Sequence, residues 1–339
     1  MRTPDFEHNL LKILRREKAE RATLFELFLN DTIYEVLAGH PQQEEGAVGH
    51  LRLVVDAMAA AGFDYATCHA SDFAFPQQSR EKADTISLNG QAVITDWDSF
   101  NAYEWPDPED FDVSRLEKIR PYLPEGMKLM VMGPGGVLEN VMSMVGYDNL
   151  CIMLFEEPEL VQAIFDKVGE RILRYYERVV DMDTVGFICS NDDWGFNTQT
   201  FLSPADMRKY VFPWHKKIVE MVHSHGKPCI LHSCGYFGDI IDDVIDDMKY
   251  DGRHSYEDVI LPVEEAYEQI GDRIVVMGGI DMNFLVTRTP EEVYARAKAM
   301  LDRTAGRGNY LLGSGNSIPE YVPVENYLAM IKAALEQDK

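Results

Sequence analysis

The chain alternates short β-branched or apolar runs with longer amphipathic segments, and this alternation constrains the fold more than any other feature. Eight such runs stand out: 23 to 29 (TLFELFL), 65 to 70 (YATCHA), 128 to 133 (KLMVMG), 186 to 191 (GFICSN), 227 to 234 (KPCILHSC), 251 to 256 (DGRHSY), 274 to 281 (IVVMGGID) and 308 to 315 (GNYLLGSG). Helical periodicity falls between them, at 47 to 61, 157 to 180, 204 to 225, 290 to 304 and 323 to 336. Ser203-Pro204 and Thr289-Pro290 supply cap-then-proline starts, while Gly62, Gly226 and Gly306 stand where helices should stop. The pattern predicts an α/β chain folded as a (β/α)8 TIM barrel, and 339 residues fit one such domain, 1 to 339.

Composition narrows the functions available. Hydrophobic residues at 46% can fill a large core, so a fully folded globule is expected. A formal charge of -25 argues against nucleic acid or an anionic membrane as partner, because both demand clustered Lys and Arg. Residues 1 to 22 are charged throughout with no apolar signal core, and no later run has the length of a membrane span, so a cytoplasmic protein is expected. Five scattered cysteines suit a reducing compartment, where they act as free thiols or metal ligands.

Residues 73 to 112 do not fit a plain barrel. The stretch is long, bears prolines, and contains TISLNGQAVIT, which reads as a hairpin around Asn89-Gly90. Trp97, Phe100, Tyr103 and Trp105 follow. An aromatic-rich insertion after the second strand would overhang the barrel mouth as a lid or pocket wall, or else form a satellite core beneath a long loop.

The polar residues fall at the ends of the runs. Asn30-Asp31, His69 to Asp72, Gly133 to Gly135, Asn191 to Asp193, His232 to Cys234, His254 to Glu257, Asp281 and Ser314 each follow or close an apolar run. In a barrel these ends converge on one face, where active sites are built. Within that set His232 and Cys234 are two apart on one strand, so both side chains lie on the same side. Imidazole and thiolate are preferred zinc donors, and a catalytic zinc needs about three protein ligands plus an open position. The opposing reading makes His232 a hydrogen-bonded core histidine and Cys234 a small buried hydrophobe. For the third ligand Asp193 ranks first, because it lies just past the fourth strand and beside the fifth. Asp192, Glu26 and Ser314 are alternatives, with His69 and His254 also possible. Asp192 and Asp193 are candidate catalytic acids, although paired acids also serve as helix caps. His215, His223 and His225 are expected on a helix away from the mouth.

With these residues in view the chain resembles the uroporphyrinogen decarboxylase superfamily, in particular its zinc-dependent, corrinoid-linked methyltransferase branch. The resemblance runs through ITDWDSFNAYEWPDP, NDDWGFNTQTFLSP, KPCILHSCG and LLGSGNSIPEYVPVENY. HSCG is its most specific part, and it implies zinc bound by His232 and Cys234. Two departures qualify it. Decarboxylases of this superfamily carry an F-M-R-Q-A-G-R-Y motif after the first strand to bind substrate carboxylates, whereas this chain has LFELFLNDTIYEV. Coenzyme M methyltransferases have a third zinc-binding cysteine where Ser314 stands, and a hydroxyl is a poor zinc ligand.

The resemblance therefore implies the first methyltransferase of an O-demethylase system. It would pass a methyl group from a methoxylated, aromatic donor to a corrinoid held by a separate protein. Zinc suits that reaction as a Lewis acid for the departing oxygen. Trp97, Tyr103, Trp194, Phe196 and Ser314 are expected to line the substrate pocket, although packing is an equal role for the aromatics. The alternative is a methylcorrinoid:thiol methyltransferase of the coenzyme M type. Further removed are a uroporphyrinogen decarboxylase and a non-catalytic corrinoid-binding barrel.

Overall fold

A computed structural model describes residues 2–76 and 92–337. Among these residues seven parallel strands form one sheet in sequence order: β1 (Tyr65–His69), β2 (Lys128–Met132), β3 (Val185–Asn191), β4 (Cys229–His232), β5 (Gly252–His254), β6 (Val275–Met277) and β7 (Tyr310–Leu311). Parallel strands joined by helical crossovers are covered on both faces, so their sequences run apolar without alternation. β3 shows this, with all of its residues buried. The result is an α/β, TIM-barrel-like sheet.

The first of the eight expected runs departs from the reading. Residues 23 to 29 make isolated parallel bridges, Leu24 with Leu312 and Leu29 with Ile318, rather than a regular strand. Against β7 the link is main chain: Phe25 N donates to Leu312 O (2.8 Å) and Leu312 N to Thr23 O (2.9 Å). Against β1 the Tyr65 hydroxyl provides it, donating to Glu26 O (2.6 Å) and accepting from Glu26 N (2.7 Å). The segment thus occupies the place between β7 and β1, but with side-chain bonds on one side.

The principal helices are α1 (Asp31–Ala38), α2 (Gly46–Ala61), α3 (Trp97–Ala102), α4 (Val137–Val145), α5 (Tyr147–Glu156), α6 (Pro158–Glu177), α7 (Phe212–Ser224), α8 (Val263–Ile270), α9 (Pro290–Thr304) and α10 (Val324–Leu335). Thr289 caps α9 with a reciprocal Glu292 contact and Pro290 in its first turn, as that sequence predicts. Asn30, a residue at a run end, caps α1 by accepting from Ile33 N (3.0 Å). The continuous helix expected over 204 to 225 is interrupted by a π-helical turn at Met207–Val211, just before Pro213. Proline has no N–H to give to the carbonyl four residues earlier, and the wider turn absorbs the missing bond. No helix among the described residues is long and apolar enough to cross a membrane.

The Asn89-Gly90 hairpin lies outside the described residues. The stretch that follows it rests on helices: Val93 N and Ile94 N donate to Met144 O of α4, and Arg171 Nε of α6 donates to Pro106 O.

Candidate metal centre

The segments that follow β3 and β4 run side by side. Asn191 pairs with His232 in register, Asp192 N donates to His232 O (3.0 Å), and Trp194 N to Cys234 O (3.4 Å). This sets Asp193 next to Cys234, whose N–H donates to Asp193 Oδ1 (2.8 Å). The turn closing HSCG requires glycine twice over. Gly235 has φ +88°, and a Cβ there would stand 2.1 Å from Gly195 O.

Three donors converge as a result. The ligand atoms of Asp193, His232 and Cys234 all lie within 4.8 Å of one another. Cys234 Sγ is 3.7 Å from His232 Nε2, and Asp193 Oδ1 is 4.0 Å from the same nitrogen. Tetrahedral bonds of about 2.0–2.3 Å put ligand atoms roughly 3.3–3.8 Å apart, so the two His232 distances are close to those of a zinc site and the group as a whole would contract by up to about 1 Å. The His232 side chain is nearly buried whereas that of Asp193 is 38% exposed, so the group opens on its Asp193 side. Burial, helped by the Arg253 guanidinium, lowers the His232 pKa to about 3 and keeps the ring neutral. Burial and then the Asp193 charge push the Cys234 thiol well up, so a metal must displace its proton.

Behind His232 runs a chain of hydrogen bonds. His232 and His254 stand opposite each other on β4 and β5, and their Nδ1 atoms are 2.9 Å apart. His254 Nε2 is 2.9 Å from Ser314 O, which also accepts from Gly279 N. Ser314 N donates to Glu26 Oε1 (3.0 Å). Both ring nitrogens of His254 are therefore engaged, one by His232 and one by Ser314 O, and neither is left as a third ligand. The Ser314 hydroxyl lies 2.5 Å from Glu26 Oε2 and 2.5 Å from Asn316 O, and it does not face Cys234. Asn316 Nδ2, from the same loop, lies 3.4 Å from the Cys234 sulfur. Arg253 is buried and ties the two strand ends together, donating to Ser255 O (2.5 Å) and Ser233 O (3.1 Å).

Asp192 faces the other way. Its carboxylate accepts from Leu138 N and Glu139 N (both 2.9 Å) at the start of α4, and lies 3.0 Å from His215 Nε2. His215, expected on a helix away from the mouth, instead reaches from α7 to the back of the site. Glu139 was not legible as a site residue, yet its pKa is pushed up to about 8 by burial and by the charges of Asp192 and Asp193. Its sequence signal is the helix start at GPGGVLE, where its carboxylate accepts from Gly136 N (2.8 Å).

The aromatic candidates fall in separate places. Trp97, Phe100, Tyr103 and Trp105 pack edge-to-face on one another. Tyr103 Oη donates to Pro76 O (2.7 Å). Trp194 is buried against Phe212 and His215, whereas Phe196 is partly exposed and packs on Tyr147 and Phe201. His69 stacks on Phe28 at the end of β1. Beside the donor group, a cavity of about 480 Å³ is lined by Glu257, Met282, Phe284, Asn316 and Tyr321 among others.

Comparison with known proteins agrees with this architecture. A methyltransferase from Methanosarcina mazei has the same fold, with a TM-score of 0.71 at 18% identity over 97% of this chain and 98% of that one. Uroporphyrinogen decarboxylases are sequence relatives. That of Geobacter sulfurreducens is 28% identical over 185 residues, 54% of this chain and 51% of the relative, and that of a Synechococcus is 30% identical over 190 residues, 55% and 51%. The chain thus spans about half the length of the curated relatives it matches. The family description uroporphyrinogen decarboxylase (URO-D) matches residues 91–337, which include both Asp193 and the HSCG turn, and the chain belongs to that family.

Proposed function

We propose that this protein is a zinc-dependent methyltransferase that moves the methyl group of a methoxylated aromatic compound to a corrinoid carried by a separate protein. The observation that carries the reading is the convergence of Asp193, His232 and Cys234 at the end of β3 and β4. The fold shared with the Methanosarcina mazei methyltransferase supports it. Carboxylates dominate the surroundings, with Glu139 beside Asp193 and Glu257 accepting from Gly235 N next to Cys234. A porphyrinogen bearing many carboxylates would need arginines there instead.

His232, Cys234 and Asp193 would hold the zinc, and Asn316 would donate a hydrogen bond to the Cys234 sulfur. Bound zinc supplies a Lewis acid for the negative charge that develops on the departing ether oxygen. The methyl C–O bond breaks as a C–Co bond forms; the oxygen keeps the electron pair and takes up a proton, and Co(I) becomes methyl-Co(III). Met282, Phe284 and Tyr321 give the adjoining cavity apolar walls for a flat ring, so the chain's task is to align the methyl carbon between oxygen and cobalt. The test incubates a panel of methoxybenzoates and methoxyphenols with the protein and a Co(I) corrinoid protein, following phenol release and methylcobalt absorbance together. Both should rise in step. Demethylation without corrinoid, or activity only with a thiol and methylcobalamin, refutes this reading, the latter in favour of a thiol methyltransferase.

A further inference from the structure

A neutral imidazole carries one N–H, and which nitrogen bears it is set by what the other ring atoms face. Ser314 O can only accept, so the nitrogen 2.9 Å from it, His254 Nε2, must carry the hydrogen. His254 Nδ1 is then a bare acceptor. The 2.9 Å contact between the two Nδ1 atoms needs one hydrogen, and only His232 can supply it. His232 Nε2 is left as a lone pair, 3.7 Å from Cys234 Sγ and 4.0 Å from Asp193 Oδ1. We propose that His254 is a positioning residue that fixes the tautomer of His232 and so presents its Nε2 lone pair to the metal. The inference rests on reading His232 as a metal ligand.

The arrangement is held from several sides. Both rings are buried, and the Arg253 guanidinium opposes a second positive charge on either. Gly278, at φ +66°, brings main chain over the His254 ring, where a Cβ would stand 2.8 Å from Cδ2. The Phe25 ring packs against it at 5.1 Å between centroids. Ser314 in turn is anchored through its N–H to Glu26. A free imidazole would have to lose the wrong tautomer and its rotational freedom on binding metal; here both are settled beforehand.

The test has two arms. In the metal-free protein, nitrogen-15 NMR of the histidine rings should show His232 with hydrogen on Nδ1 alone; hydrogen on Nε2 overturns the proposal. In the second arm Co(II) and Zn(II) affinities are measured for His254→Phe and His254→Gln, with circular dichroism to check folding. Gln can accept from His232 and donate to Ser314 O, so it should stay within a few-fold of wild type. Phe should lose roughly 10–100-fold. A folded His254→Phe with wild-type affinity and an unchanged cobalt spectrum overturns the proposal. If that variant does not fold, the NMR arm and the Gln variant decide. Should the wild-type protein bind neither metal, the proposed function fails while the tautomer measurement still gives its own answer.

Discussion

Asp192 Oδ2 stands 3.0 Å from His215 Nε2 while the neighbouring Asp193 turns to Cys234, so two adjacent acids serve different structures. Asp192 is wholly buried and accepts two main-chain N–H groups at the start of α4. Asp192→Ala should cost about 3 kcal/mol of stability by leaving these donors unpaired. Asp193→Ala should cost less than about 1 kcal/mol and abolish metal retention. Denaturant unfolding and elemental analysis of both variants check this; a destabilised Asp193→Ala that keeps zinc contradicts it.

Metal uptake should release a proton. His232 is already neutral above about pH 3, whereas the Cys234 thiol is held protonated by burial and by Asp193. Zinc affinity should therefore rise about tenfold per pH unit between about pH 6 and 8. Competition titrations with a chelator at several pH values measure the slope. A flat profile removes Cys234 from the donor set.

Glu26 should act as a neutral acid. The Ser314 hydroxyl has one hydrogen but two oxygens at 2.5 Å, and Asn316 O can only accept, so a proton on Glu26 completes both bonds. Burial raises the Glu26 pKa from 4.5 to about 8. Over that interval the folded state keeps a proton that the unfolded state has lost, so stability falls as pH rises, by up to about 1.4 kcal/mol per unit. Glu26→Gln mimics the neutral acid and should remove this slope, which unfolding curves at a series of pH values will show.

Ser314→Ala should fold and retain about one zinc per chain. The main-chain carbonyl of Ser314, not its hydroxyl, meets His254. The loss should be about 1–2 kcal/mol in stability, with metal content unchanged. Metal loss in this variant would restore Ser314 as a ligand.

The strand ends and the His232–Cys234 pair were legible because periodicity two and apolar runs are local properties, and the parallel order follows from the helical crossovers. The run 23 to 29 looked like the others, yet its pairing to β1 depends on where the Tyr65 hydroxyl falls, which no local pattern encodes. His254 was visible as a polar strand end. Its partnership with His232 depends on the β4–β5 register. Asn316 carries no local signal of its role, since its contact with the sulfur depends on how the loop after β7 turns. Trp194 and Phe196 are two apart around a glycine, and the bend there sends one ring into the core and leaves the other partly in solvent.

The link between Glu26 and Tyr65 is the seam at which the sheet meets its own beginning. Side-chain hydroxyls, the Tyr65 phenol foremost with Thr67 beside it, do there what a ladder of amides does between the other strands. Glu26 also anchors Ser314, on which His254 leans. Glu26, Ser314, His254 and His232 thus form one hydrogen-bonded line, so the seam of the sheet and the three converging donors share a single support.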